Sequence, residues 1–183
     1  GTAVWQGNDI GVARFMPNGA LDEQFGNTGS VAIHADVTAF GEGCALQPDG
    51  SILIAGMTRT QGMPDTTRGL IVRLDSTGNL DPGFANGGLH RVFFPGEFTW
   101  LYDVAVDPDG RIVACGTSDS VMLVHRVLAN GLPDPSFGDE GSVRIPHGPV
   151  PTFGQAIALE ANGDGAIVVG SGIARLLPNG ELD

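Results

Sequence analysis

Short runs of apolar, mostly β-branched residues separated by turn residues recur along this chain. Residues 43–56 contain two such runs joined by an Asp-Gly turn, and the same arrangement returns at 103–116 and 156–170. An Asp-Gly or Asn-Gly turn between two apolar runs is a strong short-range signal for a β-hairpin. The runs are nearly continuously apolar, as at 51–55, which is typical of strands buried on both faces. We therefore expect hairpins that are covered on both sides.

A second repeated segment lies between the hairpins. Each copy has a strand-like run that ends at an arginine and is followed by a turn containing glycine. In most copies Leu, Asp and Phe follow the turn. The arginines stand at 14, 73, 126 and 175, so the spacing is 59, 53 and 49 residues. This segment predicts a third strand in each period. A short fourth strand is predicted after the phenylalanine, at 30–33, 90–93 and 142–145.

Four antiparallel strands in every period of this length are typical of β-propeller blades. We predict an all-β fold with one propeller segment over residues 1–183, whose approximate repeats are 1–55, 56–115, 116–169 and a partial repeat 170–183. A long β-solenoid is the alternative, although its period is usually shorter and stricter. Closed propellers have four to eight blades. About three repeats therefore predict a partial propeller, whose open edges neighbouring repeats or another copy would cover.

One stretch also has a helical pattern. Residues 117–130 form the longest run without glycine or proline, and Val121, Val124 and Leu128 have helix-like spacing. Arg126 aligns with Arg73, however, and the residues before Arg73 are strand-like and closely bounded by glycine. We therefore predict a strand here.

The repeated pattern resembles a known family. Arg-Leu, then Gly-x-Leu-Asp-x-x-Phe-Gly, then Ala-Leu/Val-x-Pro-Asp-Gly-x-Ile is similar to the bacterial delta-60 repeat over essentially all 183 residues. The departures are Pro133 inserted before Asp134, and Ala85 in place of glycine after Phe84. The resemblance implies propeller-forming repeats within a large bacterial protein. Many of the large bacterial proteins that contain such repeats are exported. It implies an extracellular or cell-surface location and no defined activity.

The charge of the chain limits the kinds of partner. The net charge is −12, and all nine basic residues are arginines. A surface this acidic argues against nucleic acid and against an anionic membrane surface as partners. No apolar run is long enough to span a membrane. We therefore expect neither nucleic-acid binding nor membrane insertion.

The recurring charged residues favour a structural role. Each arginine of the repeated segment has an aspartate eight residues later, which predicts one stabilising ion pair in every blade. Calcium is the only cofactor that the turns suggest, and 162–165 is the nearest approach to a calcium loop, but turn chemistry explains these residues. We predict no cofactor and no metal site.

The histidines and cysteines give no chemical motif. The four histidines, at 34, 90, 125 and 147, have no metal-ligand spacing and are predicted to be solvated or at strand edges. Cys44 and Cys115 align with small apolar residues of other repeats and are predicted to pack in the core.

Two segments break the repeat and carry the candidate site. Residues 57–69 form a longer loop than their counterpart in the next repeat, and residues 93–102 contain five of the twelve aromatic side chains. Loops after the second and fourth strands of a blade leave from one face, so we expect the two segments to lie together. Trp100 aligns with Phe40 and is predicted to be a packing anchor. The candidate ligand-binding residues are Phe94, Phe98, Tyr102, Arg59 and Arg68.

The sequence favours a non-catalytic binding or scaffold module with a protein or carbohydrate ligand. A propeller enzyme, either a lyase or a hydrolase with its site at the central channel, is the first alternative. A pocket that joins Arg59, Arg68, Glu97 and a histidine with a bound metal would favour the enzyme. A purely structural spacer is the second alternative.

Overall fold

The computed structural model describes residues 8–60, 67–146, 152–160 and 165–183. Every regular element within these residues is a β-strand, and the strands form four antiparallel sheets in chain order. The first sheet contains β1 (Ile10–Ala13) and β2 (Ser30–Ile33). The second contains β3 (Thr38–Leu46), β4 (Ile52–Arg59), β5 (Thr67–Leu74) and β6 (Leu89–Val92). The third contains β7 (Thr99–Val106), β8 (Ile112–Ser118), β9 (Val121–Val127) and β10 (Ser142–Ile145). The fourth contains β11 (Gly154–Leu159), β12 (Ala166–Gly170) and β13 (Ile173–Leu176).

The turns follow from the residues that the sequence places there. In the hairpin between β3 and β4, the amide of Gln47 donates to the carbonyl of Ser51, and Gly50 has a φ of 86°. Glycine tolerates this positive φ because it has no Cβ. The hairpins predicted from the Asp-Gly turns are therefore present, and the predicted strand after residue 120 is confirmed as β9.

The second strand of each complete sheet is buried on both faces, as its continuous apolar run predicts. On β4, Ile52 and Ile54 face the core shared with the first sheet, while Leu53 and Ala55 face the core shared with the third. Successive residues of a strand point to opposite faces. The run therefore contributes to two cores at once. The equivalent strand β8 divides its residues between its two neighbouring cores in the same way.

Consecutive sheets pack face to face. Three apolar cores lie between the four sheets, one at each junction. The first strands of neighbouring sheets contact one another, β3 with β7 and β7 with β11, so they form the inner edge of the assembly. This is the blade arrangement of a β-propeller. In the part of the chain that is described, the sheets do not close into a ring, and the fold is a partial propeller.

Each inner strand contains a β-bulge at the same position. The bulges lie between Gly41 and Gly43, between Leu101 and Asp103, and between Gly154 and Ala156. Opposite them stand three equivalent glycines, where a Cβ would collide with a carbonyl oxygen of the inner strand: Gly56, Gly116 and Gly170. Close approach of the two backbones explains why glycine recurs at this position of the second strand.

Candidate functional site

The two segments that break the repeat meet at one end of the second sheet. The guanidinium carbon of Arg68 lies 4.7 Å from the centroid of the Phe93 ring. Arg59 is the last residue of β4, is exposed, and stands opposite Thr67 of β5. Residues 61–66 of the loop lie outside the described residues. The contact places the beginning of β5 beside the aromatic segment, as the antiparallel topology predicts.

Four aromatic rings form a group at the inner edge, which we call the aromatic cluster: Phe40, Phe98, Trp100 and Tyr102. The Trp100 ring lies 6.2 Å from Phe40, 5.7 Å from Tyr102 and 5.8 Å from Phe98, measured between ring centroids. The planes of Phe40 and Tyr102 are within 23° and 17° of the Trp100 plane, so these three rings stack. Trp100 is thus the packing anchor that the alignment predicts. It joins the inner strands β3 and β7.

The position of Tyr102 follows from the bulge in β7. A bulge adds one residue to the strand and changes the direction of its side chain. The equivalent bulge positions carry Glu42 in β3 and Gln155 in β11, so each inner strand presents a different polar side chain there. Burial, and secondarily the charge of Glu42, raises the pKa of Tyr102. Its phenol therefore stays neutral at ordinary pH and can donate a hydrogen bond beside an apolar ring face.

Phe94 has the contacts of a packing residue. It packs against the core between the second and third sheets, and the guanidinium carbon of Arg144 lies 5.2 Å from its ring centroid. Arg144 in turn donates to the carboxylate of Glu97 at 2.7 Å, and Ser118 donates to the same carboxylate at 2.5 Å. The structure therefore places Phe94 over an ion pair rather than in the aromatic cluster.

The contacts of Glu97 have a counterpart in the second sheet. There Asp36 accepts hydrogen bonds from Thr58 at 2.9 Å and from Arg91 at 3.2 Å. In both sheets a carboxylate before the first strand links a hydroxyl of the second strand to an arginine of the fourth. Because the arrangement recurs in two sheets, we assign Glu97 a structural role within the blade.

At the other end of the sheets, three of the four repeated arginines contact their own sheet and the next. Arg73 donates to Asp81 at 2.7 Å, and its guanidinium carbon lies 4.6 Å from the centroid of Phe84. Its Nη1 also donates to the carbonyl of Ala129 in the third sheet. We call this set of contacts the arginine lock. It recurs with Asp22, Phe25 and Ser76 around Arg14, and with Asp134, Phe137 and Pro178 around Arg126.

The ion pair predicted from the sequence is therefore present, and the bond across the junction extends it. A main-chain hydrogen bond accompanies each lock. The amide of Ala85 donates to the carbonyl of Asn130 at 2.7 Å, and the amide of Gly138 donates to the carbonyl of Asn179 at 2.9 Å. The amide of Gly26 likewise donates to the carbonyl of Thr77 at 2.8 Å beside the Arg14 lock. The residue after the phenylalanine is thus tied to the turn of the following sheet. These contacts hold blades together and do not form a site.

Two histidines contradict the prediction of solvated or strand-edge side chains. His90 and His125 are buried, and their Nε2 atoms are 2.9 Å apart across the junction of the second and third sheets. His34 is exposed and pairs with Asp9, whereas residue 147 lies outside the described residues. The prediction missed the pair because the two residues are far apart in the chain. Their alignment with valines of other repeats was the signal that both are buried.

The two cysteines differ. Cys115 is buried, as predicted, and burial raises the pKa of its thiol to about 12. Cys44 is exposed, so the core prediction is wrong for this residue. Its counterpart Val104 is buried because strands of the preceding sheet cover β7. Among residues 8–60 and the other described segments, the face of β3 that carries Cys44 has no equivalent cover.

Within the described residues, no group of three or more His, Cys, Asp or Glu side chains is arranged to hold a metal ion. The calcium-like turn at 162–165 falls largely outside those residues. No helix in the described part of the chain is long and apolar enough to cross a membrane.

Comparison with known proteins identifies the family. A model described as a domain of unknown function (DUF5122) beta-propeller matches residues 1–25, 47–84 and 108–137. The matched segments make up just over half of the chain, and the chain belongs to this beta-propeller family.

Two solved structures are similar to this chain at low sequence identity. One is selenomethionine-substituted virginiamycin B lyase from Staphylococcus aureus, with 16% identity and a TM-score of 0.46 over 78% of this chain. Another is a catalytically inactive variant of that lyase with quinupristin, with 15% identity and a TM-score of 0.47 over 79% of this chain. The chain spans 40% of the length of each. No curated protein matches it.

Proposed function

We propose that this chain is a non-catalytic binding module of the delta-60 repeat type, within a larger bacterial protein that is exported to the cell surface or beyond. The observation that carries the proposal is the aromatic cluster. Stacked rings with a neutral phenol offer apolar faces and one polar group, which suits a carbohydrate or the side chains of a protein. Within the residues that the structure describes, the cluster does not recur as a whole in another blade, whereas the contacts that hold blades together do.

Of the five predicted site residues, two belong to this cluster and three lie outside it. Phe98 and Tyr102 belong to it, and both are half-buried, so part of each ring faces solvent. Arg68 contacts Phe93, and Arg59 is exposed at the end of β4. We assign Phe98 and Tyr102 the main contacts and the two arginines a peripheral role. We leave Phe94 out of the proposed binding site, because its contacts are those of a packing residue.

Neighbouring repeats or another copy of the chain are the structural partners of this module. Support comes from large apolar side chains that remain exposed on β-strands, namely Leu46 on β3 and Ile173 on β13. Exposed apolar strands tend to pair or pack with another chain. This contact would be made at the sheets, apart from the ligand-binding cluster.

The binding test uses tryptophan fluorescence and calorimetry with defined probes. The probes are soluble cello-, xylo- and chito-oligosaccharides and a displayed peptide library. For a probe that binds, Y102A and F98A should weaken affinity at least about tenfold, the equivalent of about 1.4 kcal/mol each. F15A is the matched control, since Phe15 is an exposed aromatic outside the cluster. Its affinity should equal that of the parent chain.

Three outcomes decide between the candidate functions. Equal losses in F15A and Y102A would contradict the assignment of the site to the cluster. Failure of every probe to bind would favour the structural spacer. Conversion of a bound oligosaccharide into products, measured by chromatography, would contradict the binding-module proposal and support a propeller enzyme.

A further inference from the structure

A histidine pair replaces an apolar contact at one junction between sheets. His90 lies on β6 of the second sheet and His125 on β9 of the third. At the junction of the first and second sheets the equivalent residues are Val31 and Val72, and both pack with the core there. The two histidines therefore place polar, titratable side chains at one junction, where the equivalent positions of the first junction hold valines.

The two imidazole rings meet through their nitrogens. The Nε2 atoms are 2.9 Å apart while the ring centroids are 5.0 Å apart, so the nitrogen-bearing edges face each other. A hydrogen bond at this distance needs one nitrogen with a proton and one without. Nδ1 of His125 is 2.9 Å from Oγ of Ser142, and His90 hydrogen-bonds the backbone of Gly131. The His125 ring is thus fixed at both of its nitrogens.

This network can take up one proton but not two. With one added proton, one ring is an imidazolium and the other is neutral. A single hydrogen still lies between the two Nε2 atoms, and the two Nδ1 atoms can donate to Ser142 and Gly131. With two added protons, both Nε2 atoms carry a hydrogen, and two donors face each other without an acceptor. Both rings also carry a positive charge at short distance in a buried position. The geometry then favours separation of the rings.

The remaining neighbours of the pair are largely neutral. In the strand register His90 stands opposite Ile71, and His125 stands opposite Ala114 and Ser142. The charged side chains that line the adjoining cleft of about 320 Å³ are Arg91, Asp139 and Glu140. Arg91 is engaged with Asp36. The two carboxylates stand on the segment before β10 and are the only negative groups lining the cleft within the described residues.

We infer that the His90–His125 pair is a pH-sensitive joint, which loosens the junction between the second and third sheets when acid protonates both rings. The cleft gives water a route to the pair. The apolar equivalents at the other junctions carry no such group, so acid would act on this junction and leave its neighbours closed.

The direction of the pH dependence follows from burial. Burial lowers the pKa of His90 to about 4, while its bond with Gly131 acts in the opposite sense. Burial, and then the charge of His90, lowers the pKa of His125 to about 3. The unfolded chain takes up these protons near the ordinary histidine pKa of about 6.5. Stability is therefore complete above about pH 6.5 and is lost as the pH falls toward these folded-state values.

The first test compares thermal unfolding of the parent chain with H90V/H125V, which installs the residues of the first junction. Between about pH 7 and about pH 4.5, the melting temperature of the parent should fall by at least roughly 5 °C more than that of the double variant. E140Q is the control for the nearby carboxylates, and it should keep the acid sensitivity of the parent. Equal falls in the parent and the double variant would overturn the inference, as would loss of the sensitivity in E140Q alone.

A second measurement decides the question even where the double variant does not fold. Nuclear magnetic resonance of the parent chain with ¹⁵N-labelled histidine should show a coupling between the two Nε2 atoms at neutral pH. In acid this coupling should disappear, and hydrogen exchange should accelerate at β6 and β10 before it does at β2. Absence of the coupling at neutral pH, or titration of both rings near pH 6.5 without local opening, would contradict the inference.

Discussion

At the end of the sheets where the third strand leads to the fourth, the arginine lock is built three times with the same contacts. At the opposite end, the aromatic cluster is built once. Arg14, Arg73 and Arg126 each bind the turn of the next sheet, whereas Tyr102 has Glu42 and Gln155 as its counterparts. A contact required by every blade must recur, and a side chain that no blade requires is free to change. This difference separates residues that hold the propeller together from residues available for a ligand.

The locks also differ among themselves in burial. The side chain of Arg126 is 5% exposed and that of Asp134 is 3% exposed, because the fourth sheet covers them. The side chain of Arg175 is 52% exposed and pairs with Glu160 and Asp183 at 2.8 Å each. The same residue type therefore makes a buried bond at a junction and a solvated ion pair on the last sheet. We therefore expect the buried lock at Arg126 to stabilise the fold more than the exposed ion pairs of Arg175 do.

The largest effect is expected for R126A. The substitution removes the ion pair and the bond to Pro178, and it leaves the buried carboxylate of Asp134 without its cation. We expect the free energy of unfolding to fall by about 3–5 kcal/mol, measured by urea denaturation. R175A is the matched control and should cost at most about 1 kcal/mol, because water screens an exposed pair. Equal effects of the two variants would show that the junction adds nothing to the lock.

A similar but smaller loss is expected for G116A. A Cβ at Gly116 would collide with the carbonyl oxygen of Trp100, and this backbone is fixed between two strands. We expect a loss of about 3 kcal/mol in the same assay. G83A is the control, since a Cβ at Gly83 would approach only the carboxylate of Asp81, at 3.2 Å. If G116A were as stable as G83A, close approach of the backbones would not explain the repeated glycine.

The smallest effect on stability is expected in the aromatic cluster. F98A removes a half-buried ring that contacts Trp100 at a tilted angle of 52°. We expect a loss of about 1 kcal/mol in urea denaturation, the size of one aromatic pair. A loss as large as that of R126A would mean that the cluster holds the sheets together, and its assignment as a ligand site would fail.

Local patterns predicted the strands because each strand is decided by its own neighbourhood. The apolar run of β4 required two covered faces, and the Asp-Gly turn before it fixed the hairpin. The ion pair between Arg73 and Asp81 was predicted from eight residues of sequence. Its bond to Ala129 was not, since the acceptor lies 56 residues away in another sheet.

Contacts between sheets account for what the sequence did not predict. His90 and His125 are 35 residues apart, and only packing of β6 against the third sheet brings them together. Cys44 was misassigned for a related reason. Alignment with Val104 assumes that every inner strand has the same cover, and in the part of the chain that the structure describes β3 does not have the cover of β7. Phe94 was chosen because it breaks the repeat. Its ring packs against the core between the second and third sheets, and a contact with ligand stays a prediction.

The most direct test is amide hydrogen exchange at two of the three main-chain junction bonds that accompany the arginine locks. The Ala85 amide reports on the junction held by Arg73, and the Gly138 amide reports on the junction held by Arg126. The account predicts that R73A increases exchange at Ala85 and leaves Gly138 protected, and that R126A does the reverse. Unchanged protection at both amides, or equal loss at both in each variant, would contradict the claim that each repeated arginine holds its own pair of sheets together.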